Sequence, residues 1–149
     1  MPVPYKIVID CADPHRLAAF WAAALDYVVE DNADLIRQLL DAGVIQEADT
    51  TTVDGRLSWA GAAAVRDPDA PVDPRSGSGL GGRVLFQVVP EPKTVKNRVH
   101  LDLHVGPERR PEVIERLTGR GARVLWEGRQ GPNTWVTLAD PEGNEFCVA

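Results

Sequence analysis

"WVTLADPE", residues 135–142, has an earlier echo in "WAGAAAVRDPD", residues 59–69. Each stretch runs from a tryptophan through a short apolar run into Asp-Pro and an acid. The later one passes straight to "NEFCVA" (144–149), and the Asp-Pro-Glu-Gly-Asn between them is a turn for backbone reasons alone. The earlier one meets "RDPDAPVDPRSGSGLGG" (66–82) before "RVLFQVV" (83–89). That insert is rich in Pro, Gly, Ser and Asp and reads as a long loop.

Working outward, "YKIVID" (5–10) reads as a strand and "DPHRLAAFWAAAL" (13–25) as a helix. Asp13 suits the N-cap and Pro14 the first helical position. Leu17, Phe20, Trp21 and Leu25 form its apolar stripe. "YVVED" (27–31) reads as a short strand, "ADLIRQLLDAG" (33–43) as a second helix ended by Gly43, and "GRLSWAGAAAV" (55–65) as one strand. In the second half, "VHLDLHV" (99–105) is a strand and "ERRPEVIERLTGR" (108–120) a helix. "ARVLWEG" (122–128), "NTWVTLAD" (133–140) and "NEFCVA" are three more strands. Both halves therefore contain strand, helix, strand, strand, strand. A period of about half the chain implies two copies of one supersecondary unit sharing a core. The fold class is α+β with two βαβββ modules. Module one covers about 4–90, a linker 91–97, and module two 98–149 of a single domain.

The 149 residues are 44% hydrophobic, enough for a real core, and carry a net charge of −6. That charge argues against nucleic acid as the main partner, because phosphate binding needs concentrated Lys and Arg. No stretch suits a bilayer, so no membrane partner is expected. "MPVPYKIVID" lacks the features of a signal peptide, and Cys11 and Cys147 are the only cysteines. The expectation is a cytoplasmic protein with free thiols.

"RVHLDLHV" (98–105) carries the chemistry. Strand alternation puts Arg98, His100, Asp102 and His104 on one face. Three readings stay open at this point: a metal site, an acid–base pair in which Asp102 orients His100, and a polar wall with a surface histidine. All three side chains cannot converge on one ion without a bend, because i to i+4 on a strand covers roughly 13 Å. Trp59 and Trp135 occupy matching places in the repeat and are candidates to line a pocket for a flat ligand. His15, on the first helical turn, is expected in solvent. The helix at 34–42 and the loop at 66–82 exceed a minimal module and read either as a lid or as surface excursions.

"CADPHRLAAFWAAALDY" (11–27) opening one βαβββ unit and "LADPEGNEFCV" (138–148) closing the other resemble the glyoxalase/bleomycin-resistance/extradiol-dioxygenase superfamily, also called the vicinal oxygen chelate superfamily. "FQVVPEPKTVKNRVHLDLHV" (86–105) is similar to glyoxalase-like domains common in actinobacteria. The resemblance implies curved mixed sheets around a cup, helices outside, and a homodimer. Metal-dependent members place His or Glu on the first and last strand of each module. Carried onto this chain, those positions hold Lys6, Gln87, His100 and Cys147, and only His100 matches. The resemblance therefore implies small-molecule binding without the usual divalent metal, with His100 as a weak metal candidate. Lys6, Gln87, Arg98, Trp59, Trp135 and Cys147 are the expected ligand contacts. The alternative is a lyase, isomerase, cyclase or dioxygenase-type enzyme using His100 and Asp102, with an atypical metal or none.

Overall fold

The computed structural model describes residues 1–149. β1 (Ile7–Cys11) leads into α1 (Pro14–Leu25), then β2 (Val28–Val29) and α2 (Ala33–Asp41). A hairpin comes next, formed by β3 (Thr50–Val53) and β4 (Arg56–Trp59). β5 (Ala62–Arg66) and β6 (Arg83–Val88) complete the first half. The second half contains β7 (Asp102–Leu103), α3 (Arg110–Thr118), β8 (Arg123–Gln130), β9 (Asn133–Ala139) and β10 (Glu145–Val148). No helix is long and apolar enough to cross a membrane.

The repeat is realised in the topology. Sheet one has the order β1-β6-β5-β2 and sheet two β7-β10-β9-β8. In each, the first strand runs parallel to the last, and the remaining neighbours are antiparallel. A first strand can pair in parallel with its last only after a crossover, which α1 and α3 provide.

α1 begins as its letters dictate. The Asp13 side chain accepts a hydrogen bond from the Arg16 N–H at 3.1 Å, and Pro14 fills the first turn. It ends at Asp26, in the left-handed region with φ 54°. Its stripe of Leu17, Phe20, Trp21 and Ala24 is buried. Phe20 and Trp21 meet Phe146 of β10 edge to face, with centroids 6.0 and 5.0 Å away. Leu117 of α3 joins the same core, so the two modules share one interior. The Glu142 carboxylate accepts from the Ala12 and Asp13 N–H groups at 2.6 and 2.9 Å, capping the β1–α1 junction from the second half.

Three segments depart from the sequence expectations. The stretch 55–65 is not one strand, because it breaks at Ala60–Gly61 between β4 and β5. Its first part turns back on β3 through Asp54 and Gly55, at φ 49° and 77°. Two central residues with positive φ make a turn whose twist matches a hairpin. The stretch 98–105 pairs over only Asp102–Leu103. By the same register Glu145 of β10 stands level with His100, but its side chain accepts from the Asn97 N–H and no ladder pair forms before Asp102. His15 does not stand in solvent. Its ring Nε2 lies 2.7 Å from the Trp59 carbonyl oxygen and ties the β3–β4 hairpin to α1.

Phe146 is fully buried where the modules meet. Phe146→Ala is expected to lose about 3–5 kcal/mol, read as a lower urea midpoint with an unchanged slope.

Candidate functional site

Sheet two turns Phe146 and Val148 toward the helices and shows its other face to an open cavity of about 310 Å³. Alternation along β7 and β10 brings Asp102 and Cys147 to that face, directly opposite each other in register. β9 adds Trp135 and Thr137. β8 adds Trp126 and Gln130, and His100 and Lys96 close the rim from the linker side.

β8 reaches this face only through an irregularity. Val124 pairs with Leu138, but Trp126 pairs with Thr137, so two steps on β8 answer one on β9. Such a bulge reverses the alternation. Without it, Trp126 would share the core-side register of Val124 and Leu138. Gly128 sits opposite Trp135, and a β-carbon there would overlap the Trp135 indole. The missing side chain lets the indole lie across the strand as a cavity floor.

The polar groups converge at one end. His100 Nδ1 lies 2.9 Å from Asp102 Oδ1, and both side chains are close to half exposed. His100 Nε2 has no hydrogen-bond partner in the protein and is left for a ligand. One donor atom each from His100, Asp102 and Cys147 fall within 4.8 Å of one another. Cys147 Sγ is buried and 3.4 Å from Thr137 Oγ1. Burial pushes its thiol pKa up against the Thr137 hydrogen bond, and the Asp102 charge adds to the rise. Cys11 is likewise buried, and its thiol is pushed up to about 12 by burial and the nearby Glu142 and Asp13 charges. Neither thiol has the electropositive surroundings of a reactive cysteine. Glu145 anchors the linker, accepting from the Asn97 N–H at 2.9 Å and pairing with Lys93 at 3.2 Å. Burial opposes its ionisation, but these hydrogen bonds outweigh it and hold the carboxyl below its ordinary range.

The remaining candidates lie elsewhere. Lys6 is exposed ahead of β1, beside residues 2–5 and Arg83. Gln87 is exposed on β6, opposite Asp10. Register explains why the two do not meet. Asp10 faces Gln87 as Asp102 faces Cys147, so the counterpart of His100 in sheet one is Val8, two residues before Asp10. Lys6 lies four residues from the Gln87 level, roughly 13 Å along the strand. Arg98 borders a crevice of about 430 Å³ between the modules, with Asp10, Glu91 and Glu142. Trp59 belongs to β4 and a separate cavity over sheet one, so it is not the structural match of Trp135. His104 is exposed and outside the sheet-two cavity.

Of the residues expected from sequence, His100, Asp102, Trp135 and Cys147 share one cavity. Trp126, Gln130, Lys96 and Thr137 join them without having been singled out. The alternation of Trp126, Gly128 and Gln130 in "LWEGRQ" was the available signal.

The family's metal positions can be tested against this geometry. Lys6 and Gln87 are apart from His100 and Cys147 and cannot join them in one ligand set within the chain. Asp102 supplies a third donor instead. An imidazole, a carboxylate and a thiol suit Zn²⁺ better than a hard cation, but only once the thiol has lost its proton. These three residues would hold such an ion, and it would act there as a Lewis acid.

A model of the glyoxalase-like domain family matches residues 6–149. A search of curated protein sequences finds no match. Among solved structures, a hypothetical protein, SA1046 from S. aureus, aligns with a TM-score of 0.62 at 13% identity, covering 99% of this chain and 93% of the other. A mutant of the fosfomycin resistance protein FosX from Listeria monocytogenes, complexed with Mn(II) and 1S,2S-dihydroxypropylphosphonic acid, aligns at 0.60 and 11% identity, covering 99% and 91%. A glyoxalase/bleomycin resistance protein/dioxygenase family enzyme from Burkholderia phytofirmans PsJN aligns at 0.56 and 13%, covering 96% and 94%. At these identities the likeness is one of fold.

Gly128→Ala is expected to lift the Trp135 indole off the sheet, shift the tryptophan emission to longer wavelength and destabilise by about 1–3 kcal/mol. Gly119→Ala, which meets only ordinary contacts at a helix end, should leave the emission unchanged.

Proposed function

The chain belongs to the glyoxalase-like domain family of the vicinal oxygen chelate superfamily, and from that premise we propose that it binds a flat, aromatic small molecule in the sheet-two cavity without a resident metal. The observation that carries this reading is the cavity wall. Trp135 is laid flat by Gly128 and Trp126 is turned inward by the bulge, and the two rings do not stack on each other. A flat ring has two indole surfaces to lie against, and His100 Nε2 is at hand to donate or accept one hydrogen bond. The acidic chain favours a neutral or cationic ligand. The raised thiol pKa of Cys147 and the distance of Lys6 and Gln87 argue against the family's usual metal.

We assign the protein to the cytoplasm, in keeping with two buried free thiols. We also propose that it is of the actinobacterial glyoxalase-like type, on the likeness of residues 86–105. We also propose a homodimer. Gln87 and Lys6 stand exposed with no cavity partner in their own chain, and Val8 and Val99 are 44% and 83% exposed along the inter-module edge. A second copy would cover them.

A second reading is supported by the 2.9 Å His100–Asp102 contact. There, Asp102 fixes the imidazole tautomer, and His100 Nε2 moves a proton on the bound molecule as general base or acid. The readings separate cleanly. Plasma mass spectrometry of protein dialysed against Zn²⁺, Mn²⁺, Ni²⁺ and Fe²⁺ is expected to find no stoichiometric metal. A bound equivalent lost on His100→Ala would overturn the metal-free assignment. A ligand screen read by tryptophan fluorescence then uses His100→Gln. A binding protein keeps most of its affinity in that variant. An acid–base enzyme keeps binding but loses about 10²–10⁴ in turnover.

A further inference from the structure

We propose that module one carries a ligand site of its own, over sheet one, that takes a small neutral aromatic carbonyl compound such as an aryl amide or aryl ketone. A cavity of about 200 Å³ lies on the face of sheet one turned away from α1. Its floor is Ala62, Ala64 and Leu85, neighbours on β5 and β6. The space exists because β5 carries alanine where a larger side chain would fill it. Trp59 of β4 and Leu35 of α2 stand over the floor. No lining residue is shared with the sheet-two cavity, so the two sites are independent.

The roof is fixed before any ligand arrives. His15 holds the Trp59 carbonyl at 2.7 Å, and the Asn32 side chain donates to the Ser76 carbonyl at 2.6 Å. Gly77, at φ +75°, lies so close to the Asp31 carbonyl that a β-carbon would overlap it. The 76–79 loop is pinned again where the Gly79 N–H donates to Glu30 Oε1 at 2.7 Å. A wall this constrained loses little entropy on binding.

The polar rim selects the ligand class. Glu30 has a wholly buried side chain, and its two oxygens accept from Arg83 Nε and Nη2 at 2.7 and 2.9 Å. The pair is neutral as a unit. Arg83 Nη1 and the Ser78 hydroxyl make no hydrogen bond within the protein, and both residues line the cavity. They are donors without acceptors, which suits a carbonyl oxygen. A carboxylate would have to sit beside the buried Glu30 charge, and an ammonium beside Arg83. A neutral group meets neither penalty. The volume is below the 300–1,000 Å³ common for drug-sized ligands, about one ring with a small substituent.

Benzamide titrated into the full chain and followed by amide ¹H–¹⁵N correlation spectra is the test. Saturable shifts are expected at residues 59, 62–64 and 83–85. Benzoate and benzylamine are expected to bind at least about tenfold more weakly. Ala62→Leu fills the floor and is expected to abolish these shifts while leaving the rest of the spectrum in place. Should that variant not fold, Trp59→Leu removes a wall without crowding the sheet and must weaken benzamide binding. Shifts confined to the sheet-two cavity, no saturation up to the solubility of benzamide, or an unchanged titration in the variants would each overturn the proposal. Charged analogues binding as well as benzamide would overturn the ligand class. Failure of benzamide to shift residues 59, 62–64 and 83–85 leaves the sheet-two reading standing, because the two sites share no lining residue, and shifts confined to the sheet-two cavity would support that reading while overturning this one.

Discussion

The hydrogen bond from the Trp21 indole to the buried Asp140 carboxylate, 3.0 Å long, is the contact on which the arrangement turns. Asp140 also accepts from the N–H groups of Glu142 and Asn144 at 2.9 and 3.0 Å and from the Asn144 side chain. A carboxylate buried this fully requires such partners, and satisfying them folds the 140–144 turn. The turn has two consequences. It presents Glu142 to the Ala12 and Asp13 N–H groups, which welds the modules together. It also fixes where β10 begins, and hence that Cys147 falls opposite Asp102. The candidate site is set by a turn on the far side of the strand that carries it.

From that register the rest of the cavity is built by alternation, with two breaks. No ladder pair forms before Asp102, so His100 is tethered through the Asp102 side chain rather than through a backbone ladder. On β8 the extra step between Val124 and Trp126 converts a core-side position into a cavity-side one. Local irregularities of this kind leave backbone groups to find other partners, and they persist where side-chain placement requires them.

The legible parts of the fold were those governed by local chemistry. Asp13-Pro14 announced α1, and the helical stripe ending at Leu25 marked its buried face. The echo of 59–69 in 135–142 disclosed the repeat, because β5 and β9 do occupy the same place in their sheets. The β3–β4 hairpin was also written in the letters, as Asp54-Gly55 between alternating residues, but a continuous apolar reading of 55–65 concealed it. The bulge at Leu125 and the register of Gln87 against Asp10 were of another kind. Both depend on which strand lies alongside, and no property of the residues themselves encodes that. This is why the pairing of His100 with Asp102 was legible from alternation, whereas the separation of Lys6 from Gln87 was not.

The two modules share a topology but use their outward sheet faces differently, and the cause is the stretch of chain inserted after β2. Module one places α2 and the β3–β4 hairpin there, and these lie over its own sheet, reducing the space to a small alanine-floored chamber. In module two, β8 is the counterpart of β2, and Gly131 and Pro132 turn it directly into β9 with no insertion, so the face stays open. An open face can accept a large flat molecule or a second protein copy, and a roofed one cannot. The buried Glu30–Arg83 pair fits the same division of labour. Charges at that depth need each other, and their mutual satisfaction holds the 76–79 loop over the chamber, whereas the Lys93–Glu145 pair of module two holds only the linker at the rim of sheet two. The repeat thus supplies one scaffold twice, and the insertions after β2 decide which copy is closed.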